Sequence, residues 1–114
     1  MADTLLILEQ LPALRELSLA ANNKQYRKLL SQASEDLVRA YLEVVHNLVE
    51  NNTLSGLLTS RDQQFVRRRF AKLRLLSRNK VPLKTQRKRL SELGLTFIKR
   101  ILPVIERYLD VSVA

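Results

Sequence analysis

The chain has 114 residues, of which 20 are Lys or Arg and 11 are Asp or Glu, for a net charge of +9. It has no Cys, which excludes disulfides, thiolate metal sites, iron–sulfur clusters and thiol catalysis. One His (His46) and two Gly (Gly56, Gly94) leave little for a His-based triad, a multi-His metal site or a glycine-rich phosphate loop. At 46% apolar and 27% charged, the composition is that of one globular domain over 1–114, large enough to bury a core without staples.

Leu, Arg, Lys, Glu, Gln and Ala dominate and turn residues are sparse, so helix is expected throughout. A first helix is predicted over 4–20, with Asp3 or Thr4 as N-cap and a break at Pro12, which starts a fresh first turn. Asn22-Asn23 stops it and caps a short helix from Lys24 to about Gln32–Ala33 that carries Leu29 and Leu30. Ser34 caps the clearest helix, with Glu35 and Asp36 at its positive end. Leu37, Ala40, Tyr41, Val44, Val45 and Leu48 form one continuous apolar stripe on it, and Asn51-Asn52 ends it. A loop containing Gly56 follows over 52–60.

Ser60 and Gln63 make a capping box, which predicts a helix from Arg61 with Val66, Phe70, Leu73 and Leu76 inward. Arg67, Arg74 and Arg78 fall on one flank, Arg68 and Lys72 on the other. Ser77-Arg78-Asn79-Lys80 reads as a connector. Pro82 opens the next helix and Gly94 closes it as a left-handed cap. Leu83, Leu90 and Leu93 face inward there, Lys84, Lys88 and Arg89 face out, and Arg87 snorkels beside the apolar stripe. Thr96 caps a last helix to about Leu109. Its apolar side is Phe97, Ile98, Ile101, Leu102, Ile105, Tyr108 and Leu109, and Pro103 bends it from the polar side. The sum is an all-α fold, a compact bundle of about five or six helices with short loops.

The charge is unevenly spread. Residues 1–60 hold five cations and seven anions, a near-neutral half, whereas 61–114 hold fifteen cations and four anions. Eleven cations fall within 67–89: Arg67, Arg68, Arg69, Lys72, Arg74, Arg78, Lys80, Lys84, Arg87, Lys88 and Arg89, with no Asp or Glu among them. A merely solvated helix face would mix the signs through i,i+4 Glu–Lys pairs. Cations without acids suit a polyanion, because neutralised phosphates release condensed counterions and so supply affinity without reading sequence. Seven of the eleven are Arg, whose planar fork matches phosphate oxygens. Base-specific readout has little support: few Asn or Gln interleave, and Phe65 and Phe70 read as core rather than as stacking platforms. The same run would also satisfy a nuclear localisation signal.

His46 is expected on an exposed face between Glu43 and Glu50, an ordinary surface charge pair. No carboxylate pair falls in an identifiable cleft. No catalytic, cofactor or metal site is therefore expected, and the protein reads as non-enzymatic. No uncharged stretch approaches the ~20 residues of a membrane span. The apolar run Leu5-Leu6-Ile7-Leu8 lacks a preceding cation and is too short for a signal sequence. The expected setting is a reducing intracellular compartment, nucleus or cytoplasm.

The order of parts resembles a family of small basic proteins of Maverick/Polinton elements and the related adintoviruses. The shared pattern is an apolar start, the segment Asn23-Lys24-Gln25-Tyr26-Arg27-Lys28-Leu29-Leu30, a helix like Ser34–Leu48 and a turn like Leu58-Thr59-Ser60. A basic helix like Arg67–Leu75, the Lys84–Leu90 element and an apolar tail like Gly94–Leu102 complete it. The chain differs in lacking a Cys near Val44–His46, in having Glu50-Asn51 for a Gly-Asn turn, and in having Gly94-Leu95 for a Gly-Gly pair. The resemblance implies a viral or mobile-element protein, virion-associated and genome-binding.

Largely sequence-independent binding of DNA or RNA through the 67–89 cations is thus the leading expectation. An assembly protein that self-associates as a homo-oligomer, or meets an acidic protein partner, is the first alternative. Anionic membrane-surface binding by the amphipathic stretch 96–109 is the second.

Overall fold

Local side-chain caps start three of the helices. The computed structural model describes residues 4–50, 56–78 and 81–113, and side chains over 4–49, 56–77 and 81–110. Among the described residues there are eight helices and no strand: α1 (Thr4–Glu9), α2 (Leu11–Ser18), α3 (Asn23–Ser31), α4 (Glu35–Glu50), α5 (Ser60–Arg67), α6 (Phe70–Arg78), α7 (Leu83–Leu93) and α8 (Leu95–Val113). The all-α bundle is as expected, with more helices than the five or six anticipated. Asp3, Asn51-Asn52 and Asn79-Lys80, to which a cap, a stop and part of a connector were assigned, lie outside the described residues.

Asn22 caps α3 by accepting the Gln25 N–H at 2.9 Å, and Ser34 caps α4 by accepting the Leu37 N–H at 3.1 Å. Pro12 sits in the first turn of α2, where its missing N–H costs nothing. Other boundaries differ from the sequence pattern. The α5 cap is Thr59, not Ser60: Thr59 is extended (φ −68°, ψ 164°) and its Oγ1 accepts the Asp62 N–H at 3.2 Å. The helix predicted to run unbroken from Arg61 is interrupted at Arg68-Arg69, so α5 and α6 meet at a corner. α6 continues through Ser77 and Arg78, which the sequence pattern placed in a connector. Gly94 has positive φ, but its ψ of 163° lies outside the left-handed helical region. α8 starts directly after it at Leu95, so Thr96 is inside the first turn and exposed rather than a cap.

α4 runs through the centre and packs against α6, α1, α7 and α2. Its expected stripe is buried throughout, and Val38 is buried beside it. Leu73 and Leu76 of α6, Leu90 and Leu93 of α7 and Ile7 of α1 join the same core. Phe97, Ile98, Ile101, Ile105, Tyr108 and Leu109 of the expected apolar side of α8 are buried there with Val104, while Leu102 is half-buried. Pro103 is exposed and the helix continues past it. No helix among the described residues is long and apolar enough to cross a membrane.

One polar stitch crosses the core. The Tyr26 hydroxyl donates to the Leu90 carbonyl at 2.9 Å. Having given its proton away, it accepts from the Tyr41 hydroxyl, also at 2.9 Å, so α3, α4 and α7 are joined at one buried point. The radius of gyration is 12.9 Å, close to the roughly 13 Å of a compact chain this long.

Candidate nucleic-acid interface

The corner between α5 and α6 is built around Phe65. The Arg69 N–H bonds the Val66 carbonyl at 2.9 Å, a tightened last turn that ends α5. Arg69 Nη1 then reaches back to the Phe65 carbonyl at 3.0 Å. Its guanidinium lies 3.6 Å over the centre of the Phe65 ring, and that of Arg100 from α8 lies 4.6 Å over it. Phe65 itself stacks on Phe97 (6.3 Å between centroids), which stacks on Tyr41 (6.4 Å). An aromatic row thus carries the corner back to the central helix.

Positive charge is crowded at this corner. Partial burial lowers the pKa of Arg69 from its ordinary value, and the neighbouring cations Arg100 and Arg68 add to that. Asp62 is the acid that meets it, 3.7 Å from Arg100. Arg68, Arg69 and Lys72 line an open cleft of 690 Å³ toward α7, with Glu92 on its far side. Arg67 lines a separate pocket of 380 Å³ with Leu48, Leu58, Val66 and Phe70. Arg74 lies 5.0 Å from the Phe70 ring centre. The two flanks inferred from the sequence survive the break: Arg67 and Arg74 accompany Phe70, and Arg68 and Lys72 share the α7 cleft.

The second half of the run lies on α7. Lys84, Arg87 and Lys88 line a groove of 280 Å³ together with Arg27, Ser31 and Ser91. Arg87 snorkels as expected, half-buried, with Nη2 donating to the Ala33 carbonyl. Arg89 was expected to face outward but is half-buried, and its Nη1 is buried with no hydrogen-bond partner. The physical reason is angular: Arg89 lies about 200° round the helix from Arg87, on the flank away from the α3 groove, and α7 packs against α6 as well as α3. The run is therefore not one strip. It divides between the α5–α6 corner and the two flanks of α7. The side chain of Arg78 and all of Lys80 lie outside the described residues.

The remaining expectations divide. Phe65 and Phe70 are half-buried and serve as beds for guanidinium groups, not as closed core. His46 is half-buried rather than exposed, because α6 covers that side of α4 and Ser77 Oγ sits 3.0 Å from its Nδ1. Arg27 and Arg100 border the cationic surfaces although neither belongs to the 67–89 run. A local signal for Arg27 was present: Asn23–Ser31 carries three cations and no acid inside an otherwise near-neutral half.

The ion pairs of the described residues fall outside the run. Ion pairs join Arg15 to Glu106 (3.6 Å), Arg39 to Asp36 (4.0 Å) and Arg100 to Asp62 (3.7 Å). Among the described residues, none of Arg67, Arg68, Arg69, Lys72, Arg74, Lys84, Arg87, Lys88 or Arg89 has a carboxylate within ion-pair distance. Comparison with protein-family models, with curated proteins and with solved structures finds no significant match.

Proposed function

We propose that this protein binds nucleic acid through its phosphate backbone, largely without regard to sequence and without catalysis. The observation that carries this is the lack of internal ion partners for the nine described cations of the 67–89 run. The exposed ones among them, Arg67, Arg68, Lys72, Arg74, Lys84 and Lys88, keep their Coulomb attraction available for an external polyanion. Arg74 is exposed beside the Phe70 ring, with its planar fork suited to phosphate oxygens, whereas Arg69 on the Phe65 ring keeps one donor on the Phe65 carbonyl. The resemblance to mobile-element and adintovirus proteins extends the proposal to a genome-associated, virion-borne role.

Purification gives the test. The chain has three Tyr and no Trp, so its own ultraviolet absorbance is weak. Protein isolated at low salt is expected to carry nucleic acid, seen as a high 260/280 nm ratio that falls after a high-salt wash. A low ratio at both salt concentrations, with a discrete oligomer by light scattering, would favour the assembly alternative instead.

A further inference from the structure

The groove between α3 and α7 has a composition that packing alone does not explain. α3 carries Lys24, Arg27 and Lys28 and no acid, and it packs along α7, which carries Lys84, Arg87, Lys88 and Arg89 against the single acid Glu92. Arg27, Lys84, Arg87 and Lys88 line the groove with two serines and no carboxylate. Two helices brought together with like-charged margins lose Coulomb energy that a purely structural seam would relieve with Glu–Lys pairs. The seam is instead held from beneath by the Tyr26–Leu90 hydrogen bond.

The four cations are not equivalent. Arg87 is half-buried and anchored through Nη2 to the Ala33 carbonyl, and its Nε is buried without a partner. Arg27, Lys84 and Lys88 are exposed. A fixed guanidinium charge surrounded by movable charges is an arrangement that attracts an oxyanion and then neutralises it. The two hydroxyl protons at the groove are already committed, Ser31 Oγ to the Lys28 carbonyl (2.7 Å) and Ser91 Oγ to the Lys88 carbonyl (2.6 Å), so the cations carry the contact.

We infer that the α3–α7 groove is a seat for one backbone phosphate of the bound nucleic acid, with Arg87 as its fixed charge and Arg27, Lys84 and Lys88 closing on it. This rests on the nucleic-acid function proposed above and extends the interface into the near-neutral half of the chain.

The test uses the full chain and a labelled random-sequence duplex, followed by anisotropy over a range of salt. Arg27→Ala with Lys84→Ala removes two exposed charges from the groove, and Arg68→Ala with Lys72→Ala is the matched pair at the corner. Circular dichroism checks that both variants fold. The groove variant is expected to bind about tenfold more weakly, with the slope of log K against log salt reduced by about 1 for the one phosphate lost. Wild-type affinity and slope in the groove variant, alongside a loss in the corner variant, would overturn the groove while leaving nucleic-acid binding intact. Absence of duplex binding by the wild-type protein at low salt would overturn both. Displacement of the duplex by polyglutamate of equal charge would assign the groove to an acidic protein surface and overturn the phosphate seat.

Discussion

Arg69 serves two structures at once. Its guanidinium closes the end of α5 on the Phe65 carbonyl and covers the Phe65 ring, and it also contributes a charge to the corner. The two roles separate by substitution. Arg69→Lys keeps the charge but loses the planar fork, so a loss of about 1 kcal/mol in urea unfolding is expected with an unchanged salt dependence of duplex binding. Arg69→Ala is expected to lose the same stability and to flatten the salt slope by about 1. The buried tyrosines make a second residue-scale prediction. Burial raises the pKa of both Tyr26 and Tyr41 well above the ordinary tyrosine value, and the coupling between their hydroxyls raises Tyr41 further. The folded state thus holds protons that the unfolded state releases above about pH 10. Stability is full below that pH and falls as the pH rises past it. The urea midpoint is expected to drop between pH 9 and pH 11, and to drop less in Tyr41→Phe; a midpoint that holds steady would refute the buried pair.

At the scale of elements, what could be read in the sequence was what is decided locally. The caps at Asn22 and Ser34, the prolines opening α2 and preceding α7, and the apolar stripe of α4 each depend on residues within a turn or two. The features that escaped are decided across the chain. The corner at Arg68-Arg69 depends on Phe65 packing against Phe97 of α8. The first turn of α8 is capped by Asn23, whose Oδ1 accepts the Leu95 N–H at 2.8 Å across 72 residues. Gly94 makes that junction possible, with φ at 86° and ψ at 163°, a conformation open essentially to glycine alone. A Cβ there would meet Asn23 Oδ1 at 3.6 Å, an ordinary contact. Gly94→Ala should therefore cost about 1–3 kcal/mol through backbone strain alone, read as a lower urea midpoint. Unchanged stability would mean the junction tolerates another backbone path.

For the whole molecule, the excess of cations and its location in the second half were legible from counting. Their distribution in space was not, because helix periodicity sorts residues by face without saying which helices become neighbours. Arg87 and Arg89 are two residues apart yet lie on opposite flanks of α7, and Arg27 meets Arg87 and Lys84 only because α3 packs on α7. The sequence pattern gives the apolar side of α8 first as core, with a membrane-binding face as the lesser alternative, and its burial places it in the core.

The central claim is that these unpaired cations hold phosphate backbone irrespective of base sequence. It is tested most directly by measuring the affinity of the purified protein for two duplexes of unrelated sequence at several salt concentrations. Six phosphate contacts predict equal affinities and a common slope of log K against log salt of about −5. A flat salt response, or a strong preference for one sequence over the other, would contradict it.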